Sequence, residues 1–72
     1  MNIYSPKGTK VVYTAKGGYP CQVDRANEYL TIGETYEVDH IDVWSWHSDV
    51  YLVGFDKGFN TTLFGEYYEP TN

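Results

Sequence analysis

Seventy-two residues leave room for one domain with a modest core and for no second unit, and ten acidic against five basic side chains give a net charge of −5. That charge opposes a phosphate backbone and disfavours direct binding of DNA or RNA. Cys21 is the sole cysteine, which excludes an intramolecular disulfide and points to a reducing compartment.

Residues 1–8, MNIYSPKG, read as an irregular lead-in broken by Pro6 and Gly8, with no apolar run of signal-peptide length. Nowhere do about 18 apolar residues follow one another, so the chain is expected to be soluble and cytoplasmic, with no membrane partner. Thr9–Thr14 predicts the first strand, with Val11 and Tyr13 on one face and Val12 on the other. Residues 15–28 predict a long loop, because Gly17, Gly18 and Pro20 interrupt a polar stretch without periodicity. Asp24 could cap one helical turn there, through Glu28, and no helix of useful length is expected anywhere.

Gly33–Phe64 reads as three antiparallel strands in succession, rich in β-branched and aromatic residues. Leu30 and Ile32 alternate across a short edge segment, and Gly33-Glu34 turns the chain into the second strand, Thr35 to about Trp46. Tyr36, Val38 and His40 share one face of it, whereas Ile41 and Val43 lie on the other. A straight strand with one buried face does not tolerate that change of phase, so a β-bulge is expected near Asp39 and His40. His47-Ser48-Asp49 is the expected turn, followed by a third strand over Val50–Phe55. Asp56-Lys57-Gly58 suits a short hairpin with Gly58 in the left-handed conformation. Phe59–Phe64 predicts the fourth strand and Tyr67–Glu69 a brief closing strand, ended by Pro70.

A long loop after strand one, three meandering strands, a break and a short closing strand resemble the Src-homology-3-like barrel, giving an all-β fold of five strands over residues 1–72. More narrowly, the chain resembles the small SH3-like proteins of phages and prophages, mostly of undefined activity. The residues that carry the resemblance are Lys10–Tyr13 with Cys21, Tyr29–Val38 with its pattern YLT-G-x-x-Y-x-V, and Val50–Glu66. The resemblance implies a fold and a phage setting, and no activity.

His40-Ile41-Asp42 and His47-Ser48-Asp49 repeat a His-x-Asp pattern, two imidazoles and two carboxylates of the kind that bind divalent metals. The two pairs stand several residues' rise apart, and polar turn residues account for the same letters. Cys21 has no base beside it in sequence to form a thiolate, only Lys16 and Arg25, and is expected to be a small apolar residue tucked under the loop. Glu66 and Glu69 read as a solvated acidic end, with no carboxylate pair spaced for acid–base work. No enzyme and no cofactor are therefore expected.

The aromatic residues carry more information. Trp44 and Trp46 are two apart and share a face of a regular strand, and Ile41 and Val43 already claim the opposite face, so at least one indole is expected on the surface. Asp42, Asp49, Tyr51 and Tyr67 could furnish an acidic and aromatic rim, the combination with which Src-homology-3 domains bind extended proline-rich or basic peptides. The expected function is thus a non-enzymatic binding module, a phage or prophage accessory protein that engages a host or viral protein. Two other classes fit the composition: an acidic mimic of nucleic acid that occupies a DNA-binding protein, and a small-ligand sponge that stacks a nucleotide base on tryptophan. The acids are scattered rather than aligned, which weakens the first, and only five cations are available for phosphates, which weakens the second. Open strand edges and surplus aromatic surface make a homo-oligomer plausible in all three.

Overall fold

The computed structural model describes residues 1–68. Five strands, β1 (Lys10–Tyr13), β2 (Thr35–Val43), β3 (Ser48–Leu52), β4 (Gly58–Asn60) and β5 (Phe64–Glu66), form one antiparallel sheet in the order β4-β3-β2-β1-β5. A single helix, α1 (Pro20–Asn27), interrupts the connection from β1 to β2, and a 3-10 turn over Thr61–Leu63 joins β4 to β5. Flat, five strands would span roughly 19 Å at about 4.8 Å per gap. The three-residue turn rises only about 6 Å, yet it connects the two ends of the strand order, so the sheet must curl. It stays open: β4 and β5 do not pair with each other.

Alternation builds the core. Val11 and Tyr13 of β1 point inward, as do Val50 and Leu52 of β3, and they meet Val38, Phe59, Leu63 and Phe64. Each such side chain contributes about 1.5–3 kcal/mol on leaving water. Tyr13 is fully buried and its hydroxyl donates to Oδ1 of Asn27 at 2.7 Å, which anchors the end of α1. Burial, with Tyr36 nearby, raises the Tyr13 phenol above its ordinary pKa.

The expected bulge is present. Pairing steps from Val38↔Leu52 to His40↔Tyr51, leaving Asp39 without a partner across the ladder. The extra residue resolves the change of phase, since Val38 is buried in the core and Ile41, three residues on, still packs against it.

Several expected boundaries are displaced. Residues 15–28 are not one long loop: Pro20 opens a two-turn helix, where its missing N–H costs nothing, and Oε1 of Gln22 accepts the N–H of Tyr19 at 3.0 Å. Cys21 stands exposed on that helix rather than tucked beneath it. The segment around Leu30 and Ile32 is turn rather than strand, with Glu34 N–H bonded to the carbonyl of Thr31. The β2–β3 turn comes earlier than expected, over Trp44–His47, closed by the N–H of Trp44 on the carbonyl of His47 at 2.8 Å. Ser48 and Asp49 belong to β3 because Ser48 is buried and hydrogen-bonded to Thr61 at 2.7 Å, a tertiary partner that local turn propensity does not register. In the β3–β4 connection the left-handed glycine is Gly54, at φ +90°, and not Gly58. Gly58 opens β4, and a Cβ there would sit 3.0 Å from the ring of Tyr51. Phe59–Phe64 is two strands divided by the 3-10 turn, and the closing strand is Phe64–Glu66. Tyr67 and Tyr68 follow it outside any strand, and the expected continuation through Glu69 to Pro70 lies outside the described residues.

Candidate partner-binding site

The β2–β3 turn carries the most exposed aromatic cluster. Trp44 keeps 54 % of its surface in water and Trp46 85 %, and His47 lies between them in contact with both. The His47 ring stacks on Trp44 at 5.9 Å between centroids and 21° between planes, and meets Trp46 at 6.5 Å and 45°. Nε2 of His47 stands 3.7 Å from Oδ2 of Asp49. The two indoles are therefore not side by side on a strand face, as a longer β2 would have placed them. They are splayed around an imidazole on a turn, whose closing hydrogen bond fixes the backbone beneath them.

Beside the tip an open groove of about 820 Å³ runs between Trp46 and His47 on one side and Tyr19, Gln22 and Thr62 on the other, with Ile3 contributing to it. A smaller depression of about 230 Å³ continues past Gln22 and His47 to Arg25 and Asp49. Gln22 and Asn60 separate the two, joined by Nδ2 of Asn60 donating to Oε1 of Gln22 at 3.1 Å. Asn60 in turn caps the 3-10 turn, its Oδ1 accepting the N–H of Thr62. The groove is thus framed by the tip, α1 and the 3-10 turn, the last two joined through Asn60. Tyr19, Gln22 and His47 were not legible as site residues, and Pro20, a helix-starting signal directly after Tyr19, is what could have indicated the first two.

The remaining expected rim residues separate into two groups. Asp42 and Asp49 are direct cross-strand partners on the outer face of β2 and β3, close to the tip. Two residues further from the tip on the same face, Tyr51 stacks on His40 at 4.4 Å and 11°. Nδ1–H of His40 donates to Asp39 at 2.7 Å and Lys7 lies 3.5 Å from the same carboxylate. The hydrogen bond from His40 first, then Lys7, hold the Asp39 carboxyl below its ordinary pKa. Tyr67 is not with them: it lies beneath Lys10, whose Nζ is 5.5 Å from its ring centre, on the β1–β5 side of the sheet. His40 and His47 occupy different surroundings, and among the described residues no three His, Cys, Asp or Glu side chains are gathered to hold a metal.

Fold and site together define a small antiparallel β-protein that presents aromatic side chains from a hairpin tip. The chain belongs to the family described as Bacteriophage T4 protein Y07B, whose model matches residues 2–72. That match supports the phage setting implied by the sequence resemblance. No curated protein and no solved structure matches the chain. Among the described residues no helix is long and apolar enough to cross a membrane.

Proposed function

We propose that this phage-family protein is a non-enzymatic binding module with an SH3-like barrel fold, acting in the cytoplasm of a bacterial host. It captures a host or viral protein through Trp44 and Trp46, with Asp42 and Asp49 orienting the partner. The observation that carries the reading is the exposure of both indoles on a turn fixed by its own hydrogen bond. Large aromatic surface left in water by a small protein marks an interaction site, and Trp is the residue most enriched among interface anchors. The barrel reading is supported by the bulged β2, which pairs with β1 over Thr35–Glu37 and with β3 over Val38–Val43, and by the 3-10 turn that draws β4 towards β5. Tyr51 and Tyr67 fall outside this contact, Tyr51 being stacked on His40 and Tyr67 engaged with Lys10.

The small-ligand alternative draws on one observation, the groove beside Trp46, which is large enough for a nucleotide-sized molecule. Its walls include no lysine or arginine to meet phosphate, and the Met1 ammonium beside it donates to the carbonyl of Phe64 at 3.0 Å, so protein capture is the better reading.

The test is an affinity capture from host lysate with tagged wild type and a Trp46→Ala variant, with folding checked by circular dichroism. A protein retained by the wild type and lost by the folded variant supports the reading. Equal retention by both rejects the tip as the anchor, and a small molecule found by mass spectrometry in the purified protein favours the alternative.

A further inference from the structure

The pairing of β2 stops short on one side. β1 pairs with it over Thr35–Glu37, and Gly8 and Thr9 add hydrogen bonds to Val38, after which β2 runs on for five residues with β3 alone beside it. Hydrogen-bonding direction alternates along an antiparallel strand. The N–H of Trp44 points to β3, where it meets His47, so Asp42 and His40 point to β3 as well. The backbone N–H and C=O groups of Ile41 and Val43 therefore point the other way. Among the described residues no backbone or side-chain group bonds to them.

Side chains on this edge are sorted by face. Ile41 and Val43 pair with Val50 and Ser48 and lie on the core side, yet Val43 keeps 53 % of its surface exposed because no strand covers it. His40 and Asp42 lie on the outer side. There Asp42 faces Asp49 directly across the ladder, an arrangement of like charges that destabilises a sheet unless a cation joins it. Asp49 has His47 within 3.7 Å, whereas Asp42 has no ion-pair partner among the described residues.

We infer that the open edge of β2, Asp39–Val43, accepts an extended segment of the captured protein as an added antiparallel strand in which apolar residues alternate with lysine or arginine. The inference rests on the protein-capture reading and names its chemistry. The incoming strand takes the free backbone groups of Ile41 and Val43. Its apolar side chains cover those two residues on the core side, and its cations meet Asp42 and Asp49 on the outer side, with Trp44 next in line. The net charge of −5 favours a basic segment over a second copy of this chain, which would double the charge and bring a second Asp42 to the same edge.

Amide hydrogen exchange on the full chain tests this with a ten-residue peptide of alternating lysine and valine as the probe. In the free protein the amides of Ile41 and Val43 should exchange fast while those of His40 and Asp42 are protected. Saturating Lys-Val peptide should slow Ile41 and Val43 at least tenfold, and a Glu-Val peptide should not. Val43→Pro removes one outward N–H while sparing the ladder to β3, and should weaken the peptide at least tenfold. Should that variant not fold, Asp42→Lys serves instead, and should reverse the preference between the two peptides. Protection of Ile41 and Val43 in the dilute free protein, or protection that rises with protein concentration alone, overturns the inference, the latter in favour of self-pairing. A Val43→Pro protein that folds and still retains the lysate partner lost by Trp46→Ala overturns strand addition and leaves the tip reading standing.

Discussion

The two tryptophans and the buried aromatic trio of Tyr13, Phe59 and Phe64 use the same kind of side chain to opposite ends. Tyr13 and Phe64 sit on paired strands, 5.7 Å apart between ring centres, and Phe59 faces Phe55 at 6.1 Å. Trp44 and Trp46 sit on a turn that projects beyond the ladder, where among the described residues their ring contacts are with His47. Burial is decided by where β2 ends, at Val43, rather than by residue type. A substitution in the first group should act on folding and one in the second on binding.

That division can be broken or sharpened by four measurements. Phe64→Ala should cost about 3–5 kcal/mol, comparable with the whole stability of a small domain, and thermal unfolding should show little or no cooperative transition. Ser48→Ala leaves the buried Thr61 hydroxyl without its partner and should cost about 1–3 kcal/mol by urea denaturation. Trp46→Ala should change the unfolding free energy in urea by no more than about 0.5 kcal/mol while losing the captured protein, and a loss of stability like that of Phe64→Ala would erase the distinction. The smallest effect belongs to Asp39. Its folded pKa is lowered, so its contribution is present above the ordinary carboxylate range and is lost as pH falls through the folded value. Carboxyl titration by NMR should give Asp39 a lower midpoint than the same group in Lys7→Ala, and a larger upward move when His40 is replaced by Ala.

Where a stretch has one buried face, the amino-acid pattern was enough. β1 as a strand and the bulge at Asp39 were legible from alternation and its interruption, whereas apolar residues on both faces of Val50–Phe55 hid which side of β3 is buried. Turn positions were less so, because they depend on distant partners. Ser48 looks like a turn residue until Thr61, thirteen residues on, buries it in β3. Gly58 looks like a left-handed hairpin glycine, and is glycine because the Tyr51 ring approaches from the neighbouring strand. The helix was hidden because polar residues dominate it and only Ala26 is buried, so no apolar stripe announced it. At the site, Trp44 and Trp46 could be singled out by type, but their companion His47 and the wall supplied by Tyr19 and Gln22 depend on how the β2–β3 turn and α1 come together.

The pairing of β1 with β5 sets an order of events during synthesis. Val11 and Tyr13 gain their second neighbouring strand only when Glu66 and Phe64 arrive, more than fifty residues later. A nascent chain halted before Phe64 would hold β1 with one side unpaired and Tyr13 without its ring partner. This sheet is thus completed only once β5 has been made, and its earliest strand waits longest.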